Sequence, residues 1–308
     1  MYATTIGYTF LKAYNNKFQT NYTGRTFFEE VFVPLFFDHP KYMMTAGNSP
    51  LENPKLSWED MIKGKKPFET AERRKERIDK MINKIESEKA DASIAIGYGV
   101  VDAAAATTGQ ITNIDFPDNK EDIYCSWIGA GLGVGITGGL TILFNNEALL
   151  LDIYEGWKCY RQYLEEYPLM KGNQINTWNG RWLVHRYQPD FDETDPTAGF
   201  NPLEPINGGL LGLQTISWVE VLLKIGVFLR TIWWDIYIVS GRRTLPLVLF
   251  LSSSRILFAP TSCMKKYLVS LITKKMLQRF PSYMEQLSDY GQLVRQVPSE
   301  YRLWSLKD

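Results

Sequence analysis

At 308 residues the chain can bury a substantial core, as one large domain or two modest ones. Its 45% hydrophobic and 22% charged residues exclude a disordered polymer and fit a folded protein. The formal net charge of zero hides a division, because residues 1–215 hold 28 acids against 21 bases and residues 216–308 hold 6 against 13. Opposite charge in the two parts suggests different partners or different origins for them, and the expected units are therefore 1–215 and 216–308.

The opening to about Pro40 reads as helical segments rich in aromatics. In "TGRTFFEEVFVPLFFDHP", Phe28, Phe32, Leu35 and Phe36 recur at helical spacing, with Thr26 as the expected N-cap and Pro34 as the expected kink. "MMTAGNSPLENPKLSW" is punctuated by Gly47, Asn48, Pro50 and Pro54 and reads as a long loop. The clearest helix runs over residues 70–89. Ile78, Met81, Ile82 and Ile85 make one apolar stripe, and Glu76 and Lys80 form a favourable four-residue pair on the exposed side.

"ASIAIGYGVVDAAAATTGQITNI" turns to small and β-branched residues and reads as strands. "CSWIGAGLGVGITGGLTILF" follows, with "GVGITG" matching G-x-G-x-x-G at 133–138. A dinucleotide site needs a helix after that motif, and here the glycines lead into the strand-like "LTILF". Gly131, Gly133, Gly135, Gly138 and Gly139 are expected in or between strands, serving close packing rather than phosphate binding. "NNEALLLDIYEGWKCYRQYLEEYP" reads as a helix ended by Pro168, although Gly156 lies inside it.

Two constellations carry candidate chemistry. Asp152, Glu155 and Lys158 invite a metal-dependent nuclease or hydrolase reading, since clustered carboxylates and a lysine can hold a cation and an attacking water. Their spacing of three and three places them along one helix face, where such charges commonly pair in solvent. His185 could add a general base to Asp152 and Glu155, with His39 equally uncommitted. No metal site and no cofactor is assigned by spacing.

The second constellation is "GNQINTWNGRWLVHRY", residues 172–187. Asn176, Trp178, Arg181, Trp182 and Arg186 bring amides, aromatics and guanidinium groups together in what reads as a loop. Single-stranded nucleic acid is bound by such groups, and so is a well-satisfied loop over a core. One indole is expected to anchor the loop and the other to face a groove beside Arg181 or Arg186. "QPDFDETDPTAGFNPLEPING" then forms an acidic, proline-rich connection.

The last third is apolar and basic, with no acid between Ile236 and Met284. "WVEVLLKIGVFLRTIWWDIYIV" suggests a membrane span, yet Glu220, Lys224, Arg230 and Asp235 interrupt it, so no strong transmembrane segment is expected. A basic apolar hairpin on a membrane surface over 219–260 is one account, and a shifted reading frame or truncated gene end is another.

The three cysteines, Cys125, Cys159 and Cys263, are distant and odd in number, which implies neither a disulfide framework nor a zinc site. The N-terminus lacks a secretory signal pattern, so the cytoplasm is the expected location. Together these features imply an α+β protein: a helical N-terminal part, a mixed sheet around 90–145 with a packed helix, and a basic apolar C-terminal region. The expected function is an intracellular binding protein for single-stranded nucleic acid or a partner protein, using 172–187. The alternative is a metal-dependent hydrolase or nuclease built on Asp152, Glu155 and His185. A membrane-surface or structural protein comes third.

Overall fold

The computed structural model describes residues 2–47, 49–52, 57–98, 119–228, 235–240 and 248–252. Their fold is α+β. The opening helix α1 (Tyr2–Phe18) turns its buried face, including Ala3, Ile6, Gly7 and Phe10, toward α6 (Lys120–Gly131). Small residues at four-residue spacing on both helices allow the backbones to touch. A β-carbon on Gly7 would collide with the Cys125 carbonyl, and one on Gly129 with the Ala3 carbonyl.

Thr23 caps α2 (Gly24–Phe27) through a reciprocal pair with Thr26, so the cap lies three residues before the position expected from sequence. Both oxygens of Glu121, at the start of α6, reach the α2 backbone: one accepts from the amide of Gly24 and the other from that of Arg25. A π-helical turn (Phe28–Phe32) then leads into α3 (Val33–Phe36). The irregularity falls one turn before Pro34, which has no N–H to offer the carbonyl four residues back, so the ladder shifts register there. Phe32 and Phe36 stack at 4.1 Å, and both meet Trp157 edge-on.

After α4 (Trp58–Ile62) comes α5 (Ala71–Ser87), where the long helix was expected. Thr70 caps it, and Arg77 ties its first turns to the Glu69 carboxylate at 2.6 Å and the Pro50 carbonyl at 2.8 Å. At its far end Lys84 donates to Ser93, and Glu86 accepts from Tyr124.

Residues 92–98 form turns rather than the expected strands, and 99–118 lie outside the described residues. The "CSWIGAG" part of the glycine run is helical and ends α6 at Gly131. Asn119 caps that helix, and the acids Glu121 and Asp122 occupy its first turn. Of the remaining glycines, Gly135 lies in a strand and Gly138 and Gly139 between strands, whereas Gly133 joins α6 to the first strand. β1 (Val134–Ile136) and β2 (Leu140–Asn145) form a hairpin, and Gly138 and Gly139 make its turn at φ of 94° and 71°.

β2 also pairs with β5 (Asp235–Ser240), and β5 with β6 (Val248–Ser252), giving the order β1-β2-β5-β6 with every pair antiparallel. A second hairpin joins β3 (Leu203–Ile206) and β4 (Leu210–Leu213). Two long elements follow the first hairpin, α7 (Glu147–Glu166) and α8 (Ile175–Arg186). α9 (Trp218–Phe228) lies against α8 and buries Val221, Leu222 and Ile225. Among the described residues no helix is long and apolar enough to cross a membrane. Residues 253–260 of the stretch expected to meet a membrane surface, and the rest of the tail to 308, lie outside the described residues.

Candidate functional site

The polar stretch 172–187 is a helix packed on two sides, not a loop. Trp178 and Trp182 are 0% and 1% exposed, which corrects the expectation that one of them faces a groove. Their rings lie nearly parallel, and their indole N–H groups donate to α7 backbone carbonyls, Trp178 to Gly156 and Trp182 to Asp152, each at 2.8 Å. Gly156 makes this possible, because a β-carbon there would overlap the Trp182 ring. Tyr160, Tyr163 and Phe200 complete the aromatic packing around Trp178.

The opposite face of α8 holds the glycine run. Asn176 donates to the carbonyls of Ala130 and Gly133 at 3.0 and 2.8 Å, and Asn179 to those of Gly131 and Gly133 at 2.8 Å each. The asparagines thus satisfy buried backbone acceptors that a glycine-rich approach would otherwise leave bare. Arg181 donates to the Gln214 carbonyl at 2.8 Å. All five of these amide and guanidinium hydrogen bonds end on backbone carbonyls of the chain itself.

Arg186 projects from the last turn of α8 into an acidic cluster. It lies 3.3 Å from Glu193, 3.8 Å from Asp152 and 4.0 Å from Glu155, and over the Phe191 ring at 4.5 Å. Tyr187 donates to Asp152 at 2.5 Å. Burial pushes the Asp152 carboxyl above its ordinary range, while Tyr187 and Arg186 pull it back. The structure therefore brings Asp152 and Glu155 together, but around Arg186. His185 is apart from them: it stacks on Phe200 at 4.5 Å, and its Nε2 lies 3.0 Å from the Pro196 carbonyl. Lys158 sits over the Tyr154 ring. Among the described residues no three His, Cys, Asp or Glu side chains gather as metal ligands.

His39 is also engaged locally, accepting from the Lys41 amide at 3.0 Å. Burial and nearby Arg161 push its imidazole down to about 4. Lys41 is buried and donates to the carbonyls of Leu164 and Tyr167 at the end of α7. Burial, with Arg161 beside it, lowers the ammonium to about 8. A lysine shifted this way can serve as a nucleophile, but this one is aimed at two helix-terminal carbonyls and acts as a cap.

The surface of the described residues includes two grooves of similar size. The first, of about 480 Å³, runs between the end of α1 and the middle of α7. Phe18, 44% exposed, stands on its rim with Lys17, Lys158 and Gln162, while Glu155 and Asp195 oppose the lysines. The second, of about 490 Å³, runs between α3 and α5. Its apolar floor is Val33, Pro34, Ile78 and Ile82, and its rim carries Glu29, Asp38, Glu72 and Asp79 against Lys75 alone.

Sequence reasoning found the α5 stripe but not its division. Met81 and Ile85 are fully buried, whereas Ile78 and Ile82 remain partly open. Set against models of known families, curated proteins and solved structures, the chain matches none of them.

Proposed function

We propose that this is a binding protein that docks a helix of a partner protein in the α3/α5 groove. The observation that supports this reading is the half-covered stripe of α5: a firmly capped helix presents two isoleucines to an open apolar groove. Contiguous apolar surface rimmed by polar residues is the usual mark of an interaction site. The catalytic candidates give weaker support to an enzyme, because Asp152, Glu155 and His185 are held by internal partners. Free thiols at Cys125 and Cys159 fit a reducing compartment, and we assign the protein to the cytoplasm.

A photo-activated benzoylphenylalanine at position 82, and another at exposed position 204 on β3, test this in cells expressing the full chain. The reading expects a discrete adduct at 82 that disappears with Ile78→Ser and is absent at 204. No adduct at 82, or the same adducts at both positions, would overturn it.

A second reading, single-stranded nucleic acid, draws support from the α1/α7 groove, whose lining holds exposed Phe18 with Lys17 and Lys158. A base stacked there would be worth about 1–3 kcal/mol, lost in Phe18→Ala. Filter binding of single-stranded DNA and RNA at two salt concentrations tests it, since phosphate neutralisation makes affinity fall with salt. No binding at the lower salt would remove this reading.

A further inference from the structure

We infer that the occupant of the α3/α5 groove is a basic amphipathic helix, with apolar residues at three- and four-residue steps and Lys or Arg on its flanks. The inference rests on the docking reading above and adds the chemistry of the partner. Two features of the groove select that chemistry.

The floor selects the apolar spacing. Ile78 and Ile82 lie one turn apart on α5, and Val33 and Pro34 face them from the other wall. An incoming helix can set its own one-turn repeat into the notch between them, as ridges enter grooves between packed helices. Ala71, at the open end of the same groove, adds no bulk to obstruct it.

The rim selects the charge. Four carboxylates and one ammonium line the groove, and with Arg25 on Glu29 and Arg74 on Asp38 one negative charge is left over, which favours cations on the partner over anions. Glu72, in the first turn of α5, is hydrogen-bonded to its own amide and to Thr70, which with nearby Arg74 holds its carboxyl below the ordinary range. Glu29 is paired with Arg25 at 2.9 Å, and Asp38 with Arg74 at 3.5 Å. These are partly exposed pairs of small net value, and they can be exchanged for a partner's cation at little cost.

The full-length protein should be titrated into two fluorescent fourteen-residue peptides that share one leucine pattern, with lysine at every other position in one and glutamate in the other. The basic peptide should bind at least tenfold more tightly than the acidic one. Ile78→Ser with Ile82→Ser should weaken it at least tenfold. Glu72→Lys with Asp79→Lys should invert the preference while leaving the circular dichroism unchanged. Equal binding of the two peptides, or a preference unmoved by the charge reversal, would overturn the inference. Failure of both peptides would also overturn it. If the cross-linker at 82 still gives its site-specific adduct in that case, the docking reading stands and only the basic chemistry is lost.

Discussion

The Trp182 indole of α8 occupies the space that a β-carbon on Gly156 of α7 would need. The contact lets the ring reach the Asp152 carbonyl one turn earlier on the same helix. Alanine is the better helix former by roughly 1 kcal/mol, so local propensity favours Gly156→Ala. Overpacking opposes it with about 1–3 kcal/mol, and more where neither helix can retreat. We expect net destabilisation, seen as a lower urea midpoint at unchanged slope. A raised midpoint would show that the two helices are free to part.

Asn179 offers a second test. Its amide serves the carbonyls of Gly131 and Gly133, both within the packed region. Asn179→Ala removes both bonds; the Gly133 carbonyl keeps its bond from Asn176, whereas that of Gly131 loses its side-chain donor, at a cost of about 1–3 kcal/mol. Asn179→Asp should be no better, because a carboxylate cannot donate to a carbonyl. Thermal unfolding of both variants against the wild type measures this, and a neutral Asn179→Ala would contradict it.

These two positions also show why α8 is not legible as a helix in the sequence. A helix is recognised by one apolar and one polar face, and α8 has neither. Its indoles pack on α7 and its amides pack on glycine carbonyls, so polar residues line a buried face. The same glycines disguised α6, because Gly129 and Gly131 read as breakers until α1 and Phe36 are placed against them. By contrast, α5 and α7 carry solvent on one side and were legible at once. Of the grooves, only the α5 stripe left a trace in the sequence. Phe18 and Lys17 give no local signal, and the partners that form the walls are distant in the chain.

Acid should weaken the fold through His39. Its imidazole titrates near 4 when folded, against an ordinary 6.5, so between those values the unfolded chain takes up the proton and the folded one does not. Stability is therefore fully present above pH 6.5 and is lost as pH falls toward 4. Carboxylates titrate in the lower part of the same window, so the comparison must be with His39→Gln. That variant should show a flatter stability profile between pH 6.5 and 5, read from urea midpoints. Identical profiles would assign the effect elsewhere.

Alkali should act through tyrosines. Burial raises Tyr42, Tyr124, Tyr154, Tyr160 and Tyr187 above their ordinary 10.0, and Tyr163 to about 12. Three of them donate to carboxylates, Tyr42 to Glu69, Tyr124 to Glu86 and Tyr187 to Asp152, which raises them further. A raised group stabilises the folded state fully below pH 10, and that contribution is lost as pH climbs above it. Tyrosinate absorbance should therefore appear in two stages, exposed phenols first and the buried set together with loss of helical circular dichroism. A single smooth titration with the fold intact would count against this.

The backbone contact between α1 and α6 also constrains how the molecule is made. Thr4 bonds to the carbonyl of Asp122, and Tyr8 to its side chain, across more than a hundred residues of chain. α1 therefore meets the helix it packs on most closely only after residues 120–131 have been made. During that interval its small-residue face at Ala3 and Gly7 stays uncovered, exposed to non-native contacts. A nascent chain that stops short of residue 120 should bind chaperones that the finished protein ignores, and release from them should wait for the emergence of α6.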